Sequence, residues 1–150
     1  MPRFLISGIL AALFALVLEL IVSSASDFAR TNIVLDTVPP GIPFLALLAL
    51  IEEAMKFSVL WKVARAENTP AVFPSGAILF TLGFGGTEVF LAGALFPAAP
   101  ISALVGIFAV HAGTILLYGY GVRKRFSLLI LATMLIAGII LHALYNVLLI

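Results

Sequence analysis

Glu52, Glu53 and Lys56 lie together in one long apolar run of this chain, Glu88 in a second, His111 in a third, and His142 with Asn146 in a fourth. Carboxylates and imidazoles are the groups with which proteins move protons and activate water. A buried glutamate serves as general base, histidine supplies a proton or a ligand, and an amide such as Asn146, together with His142, donates to a developing oxyanion. That inventory is sufficient for peptide-bond hydrolysis. The same oxygen and nitrogen donors suit zinc, which lowers the pKa of bound water to about 7. No H-E-x-x-H helix is present, so a metal rests on residue type alone.

The surroundings of these groups make them conspicuous. The chain has 150 residues, 63% of them hydrophobic and only 10% charged, with a mean hydropathy of +1.27. Soluble domains run near about 45–50% apolar and about 25% charged, so a soluble fold and a disordered chain are both excluded. The composition is that of an integral membrane protein. A helix crosses about 30 Å of hydrocarbon with about 20 residues, which leaves room for about five spans and no sizeable extramembrane domain. Residues 1–150 are expected to form one membrane domain, an all-α bundle of about five helices. The apolar runs are Phe4 to Ser24, Pro43 to Ala64, Pro74 to Phe96, Ile101 to Val122 and Phe126 to Ile150. Pro39, Pro40, Gly41, Pro70, Pro97 and Pro100 punctuate them, and Ser23 to Asp36 reads as a loop. The net charge of +1 and the lack of a basic tail give no reason to expect nucleic acid as a partner; the absence of cysteine removes disulfides and thiolate metal sites.

Arg3, Lys62, Arg65, Arg123, Lys124 and Arg125 fall on one side of this arrangement, and Arg30 on the other. The positive-inside bias therefore places the N-terminus in the cytoplasm and the C-terminus outside. The loops with Asp27, Arg30 and Asp36, and with Pro97 to Pro100, would face away from the cytoplasm. Arg3 before an apolar run resembles the start of a signal peptide, but the length of that run and Glu19 within it favour a retained helix.

An ionisable group in mid-span costs at least about 2.5–3.5 kcal/mol on insertion scales, so each one demands a partner or a function. At about 1.5 Å of rise per residue, Glu52 and His111 fall near the midplane, with Glu88 and His142 slightly farther out. Antiparallel neighbours can bring all four into one cluster. His142 and Asn146, four apart, share a helix face, whereas the adjacent Glu52 and Glu53 point about 100° apart. One glutamate is then free to work in a cavity while the other braces a neighbouring helix or pairs with Lys56. Around Glu88, the run Gly83 to Thr87 either admits a close helix crossing or leaves space for a substrate backbone. Simpler roles are open for several residues: an ion pair within one helix for Glu52, Glu53 and Lys56 that leaves one carboxylate unpaired, an interhelical hydrogen bond for His111, an interfacial position for Glu19, and an interface belt for Trp61, Lys62, Tyr118 and Tyr120. Gly106 and Gly113 suggest tight packing.

The ordered set Glu52-Glu53-x-x-Lys56, Phe84-x-x-x-Glu88, His111 and His142-x-x-x-Asn146, each on a successive helix, resembles the PrsW family of intramembrane proteases. That family is related to the CAAX-processing and bacteriocin-processing membrane proteases, whose pattern has Arg after the paired glutamates and His where Glu88 stands. The resemblance runs from about Ile51 to Asn146. It implies that Glu52 activates water, that Glu53 and Lys56 support it, that Glu88, His111 and His142 complete the catalytic centre, and that Asn146 is the oxyanion donor. It also implies a metalloprotease with Zn2+ held by Glu52, Glu88, His111 and His142, the extra charge of Glu88 favouring a cation. The implied substrates are membrane proteins or peptides cut in or near the bilayer, such as membrane-held regulators of the anti-sigma type. The chain has fewer spans than many members, which leaves oligomerisation as a source of missing gating elements. Two other readings of the buried acids and imidazoles are a proton- or ion-coupled transporter and a non-catalytic protein that binds membrane segments.

Overall fold

The computed structural model describes residues 2–32, 41–67, 73–124 and 126–148. They form five helices, α1 (Pro2–Asn32), α2 (Ile42–Glu67), α3 (Phe73–Leu95), α4 (Ile101–Arg123) and α5 (Leu128–Leu148), with no strand among the described residues. Backbone polar groups have no water to bond in hydrocarbon, so apolar runs of this length satisfy themselves as helices. Hydroxyls inside the runs do likewise. Thr81, Thr87 and Thr133 each donate to the carbonyl four residues earlier, which satisfies their hydroxyls within their own helix.

Four segments, Pro2–Ala25, Ser75–Leu95, Ile101–Arg123 and Leu128–Leu148, are long and apolar enough to cross a bilayer. The chain is an integral membrane protein. α2 has 26 residues and so also has the length of a span, but it carries Glu52, Glu53 and Lys56 along its middle. Those three side chains are buried, while Phe14, Phe90, Leu128 and Leu129 lie on the outside of the bundle.

The helix limits correct two expectations. Ser23 to Asn32 does not leave α1 as a loop; the helix continues through it, since neither glycine nor proline interrupts that stretch. Asp27 and Arg30 thus belong to a helical segment, whereas Asp36, Pro39, Pro40, Pro70, Arg125 and Ile150 lie outside the described residues. The last helix begins at Leu128 rather than at Phe126, because Ser127 occupies the capping position: its carbonyl accepts from Leu131 N and its hydroxyl from Ile130 N.

α1 packs on α3 and α2, α3 on α4, α4 on α5, and α5 on α2, which closes a ring that α2 and α4 cross at its centre. Between membrane helices there is no water to expel, so close packing must hold them. Small residues permit it. A Cβ on Gly8 would stand 2.4 Å from Phe80 O, and one on Gly83 would stand 2.3 Å from Leu5 O, so the α1 and α3 backbones touch there. Phe4, Phe80 and Phe84 fill the space around this crossing. Gly106 likewise yields to the ring of Tyr145, whose hydroxyl donates to Ala103 O at 2.7 Å. Gly113, by contrast, has nothing within 4 Å of its missing Cβ and makes no tight contact.

Replacing Gly83 by valine should force α1 and α3 apart and destabilise the protein by about 1–3 kcal/mol, the usual range for overpacking. Thermal unfolding in detergent measures this, and Gly113→Val serves as a control that should change little.

Candidate functional site

The ring of helices brings Glu52, Glu53 and Lys56 of α2, Glu88 of α3, His111 of α4 and His142 of α5 into one polar cluster. Lys56 lies at its base, with no exposed surface. Its ammonium group has three hydrogens and three acceptors: Glu53 Oε1, His111 Nδ1 at 2.8 Å and Thr114 Oγ1 at 3.3 Å. Thr114 already donates its own proton to His111 O, so toward Lys56 it can only accept. The ring of Phe84 lies 5.1 Å from the same ammonium, which adds a cation–π contact in a dry setting.

Glu53 is the counterpart. It is fully buried and accepts from Lys56 and from His142 Nδ1 (2.8 Å) on Oε1, and from the Tyr118 hydroxyl (2.6 Å) on Oε2. Three donors thus engage both oxygens of one carboxylate. The two adjacent glutamates have therefore separated their roles, as their 100° offset on the helix anticipates. Glu53 braces α4 and α5, and Glu52 faces the open part of the cluster.

Glu52 Oε2 is buried and has no hydrogen-bond partner. It lies 3.6 Å from His142 Nε2 and 3.8 Å from His111 Nε2. The two imidazole rings meet edge to face, with centroids 5.0 Å apart. Glu88 reaches over from α3, and its Oε2 lies 2.6 Å from His111 Nε2. Gly85, one turn before Glu88, makes this reach short, because a Cβ there would sit 3.5 Å from His111 Cβ and 3.2 Å from Phe108. Within the glycine run, Gly83 and Gly85 admit neighbouring helices, while Gly86 has nothing within 4 Å of its missing Cβ.

Two further residues belong to the site although sequence reasoning set them elsewhere. Tyr118, expected in an interface belt, is completely buried with its hydroxyl on Glu53. Gly138 of α5 makes room for that hydroxyl, since a Cβ there would lie 1.9 Å from it. Its partner in the expected belt, Tyr120, is exposed and stacks edge-on with Phe126. Trp61 is half-buried under the Arg65 guanidinium. Glu19, expected at the interface, turns inward from α1, where its Oε1, like Oε2 of Glu52, is buried without a hydrogen-bond partner. Glu19, Glu52 and Glu88 thus bring three acidic side chains from α1, α2 and α3 to the polar cluster. Asn146 is half-buried one turn beyond His142 and takes no part in the hydrogen bonds that bind the cluster.

The arrangement permits a test of zinc. Glu52, His111 and His142 offer ligand atoms within 4.8 Å of one another, and separations of 3.6 and 3.8 Å are close to the edge of about 3.3–3.4 Å expected of a zinc tetrahedron. Glu88 is not part of this trio. Spacing alone does not make a ligand, however, because both nitrogens of His111 are engaged, Nδ1 by Lys56 and Nε2 by Glu88. Two open donors remain, Glu52 Oε2 and His142 Nε2, where catalytic zinc sites use three protein ligands. As hydrogen-bonded here, His111 would have to give up Glu88 before the trio could hold a zinc ion.

No family model, curated protein or solved structure matches the chain.

Removing partners of the Lys56–Glu53 pair should destabilise the fold in a graded way. Glu53→Gln leaves a buried ammonium without its counter-charge and should cost about 3–5 kcal/mol. Tyr118→Phe removes one hydrogen bond to a carboxylate, for about 1.5–3 kcal/mol. Unfolding of the two variants in detergent should reproduce that order.

Proposed function

We propose that this chain is a membrane-embedded peptide hydrolase of the PrsW-like kind, in which Glu52 is the general base. The observation that carries this reading is the buried, partnerless Oε2 of Glu52, flanked at 3.6 and 3.8 Å by two imidazole nitrogens. A buried acceptor without a donor has desolvation to recover, and a water between Glu52 and His142 would recover it. Glu52 takes a proton from that water as its oxygen adds to the carbonyl carbon of a peptide bond. The carbonyl oxygen becomes an oxyanion, for which the donors are the Asn146 amide and, once it exchanges Glu88 for the substrate, the His111 Nε2–H. Glu52 then delivers its proton to the leaving nitrogen, and the C–N bond breaks. Glu88 and Glu19 serve as the reservoir that exchanges protons with Glu52. His142 orients the water, and Glu53 with Lys56 holds the geometry.

Substrates on this reading are segments of membrane proteins or peptides that enter the bundle from the bilayer. The basic residues Arg3, Lys62, Arg65, Arg123 and Lys124 support an orientation with the N-terminus in the cytoplasm and the C-terminus outside.

Purified protein in liposomes, offered a panel of single-span peptides, should cleave some of them. Glu52→Gln, which keeps shape and loses the base, should lower the rate at least about 10²-fold, the low end of what a general base contributes. Cleavage that survives both Glu52→Gln and His142→Ala would overturn the proposal. Proton-dependent flux through the liposomes without any cleavage would replace it by the transporter reading, to which a chain of carboxyls and imidazoles is also suited.

A further inference from the structure

Two histidines are all that the chain contains, and they occupy opposite sides of one ion pair. Lys56 carries hydrogens toward each of its three acceptors, one of which is His111 Nδ1 at 2.8 Å. Nδ1 of His111 must therefore present its lone pair, and a neutral imidazole then bears its proton on Nε2. That N–H points at Glu88 Oε2, 2.6 Å away. The logic reverses at His142. Its Nδ1 lies 2.8 Å from Glu53 Oε1, a carboxylate oxygen that only accepts, so here Nδ1 carries the proton and Nε2 keeps a lone pair toward Glu52.

We infer that the Lys56–Glu53 pair holds the two histidines in opposite tautomers, so that His142 is the acceptor of the site and His111 its donor. The consequence is a division of labour between two chemically identical side chains. His142 Nε2 can take a hydrogen bond from a water but cannot donate to an oxyanion. His111 Nε2–H can donate but has no lone pair for a cation. Lys56 is a positioning residue: it acts on a reacting group only through the proton it assigns to His111. Glu53 positions His142 in the same sense, and Tyr118 in turn anchors Glu53 from α4 at 2.6 Å. A divalent cation of the zinc type is disfavoured at His111 for as long as the ammonium of Lys56 is in place.

The division into donor and acceptor matters for catalysis only if the hydrolase reading holds, but the tautomers themselves do not depend on it. The test is therefore spectroscopic. The full chain, labelled with ¹⁵N in its histidine rings and held in detergent micelles, gives signals from two rings, which His142→Gln assigns. The expected spectrum has His142 protonated at Nδ1 and His111 at Nε2, and an equivalent of zinc leaves the His111 signals where they were. Both rings in one tautomer, either ring doubly protonated, or a zinc-induced shift of His111 Nε2 overturns the inference. In Lys56→Met, His111 should move to the Nδ1-protonated form or a mixture while His142 stays; an unchanged His111 removes the role given to Lys56. The wild-type spectrum decides the tautomers even where that variant does not fold. Opposite tautomers in a protein that cleaves no peptide would leave this inference standing and remove only the hydrolase reading.

Discussion

The rest of the structure depends on a buried ion pair between neighbouring turns of one helix. Lys56 and Glu53 are both fully buried in a region where a lone charge costs several kcal/mol. The pair is retained because all three ammonium hydrogens and both carboxylate oxygens are engaged. The ammonium bonds to His111 and Thr114 on α4, and the carboxylate takes hydrogens from Tyr118 on α4 and His142 on α5. An interaction that begins inside α2 thereby becomes the tie among three helices. In hydrocarbon, where apolar side chains gain nothing from leaving lipid, such a tie carries more of the architecture than it would in water.

That tie also explains why the open side of the cluster is so acidic. Glu53 takes up the charge of Lys56, and Glu52, Glu88 and Glu19 are left without a lysine or arginine of their own in the cluster. Glu52 and Glu88 reach His111, and Glu52 also His142, because the helices that carry them pack closely. The crossings rest on absent side chains. Gly8 and Gly83 let α1 reach α3, and Gly85 lets α3 reach α4. Packing and chemistry are coupled here, since a Cβ at either crossing would move a carboxyl away from the partnerless oxygen of Glu52.

Much of this was legible in the chain before any coordinates. Long apolar runs could only be helices, and the charges inside them were too unfavourable to be accidental, so the core of the site, Glu52, Glu53, Lys56, Glu88, His111 and His142, stood out residue by residue. Tyr118 and Glu19 did not. A tyrosine near the end of a membrane helix usually marks the interface, and nothing in its neighbours distinguishes one that faces inward. Glu19 lies on α1, outside the span of the ordered motif, and its part became visible only when α1 was seen packed against α2. The reach of α1 to Asn32 was hidden for a different reason: small polar residues such as Ser23 and Ser24 suit helix and loop almost equally.

Composition and periodicity by themselves determined that the chain is a helical membrane protein with acids and imidazoles at a common depth, because hydrocarbon allows so few ways to satisfy a backbone or a charge. Which group faces which was decided only by the fold. The choice between Glu52 and Glu53, the protonated nitrogen of each histidine and the suitability of the site for a metal all turn on contacts of about 3 Å between different helices. Spacing along one helix sets direction around its axis, but the distance to a neighbour depends on crossings made by glycines far away in the sequence.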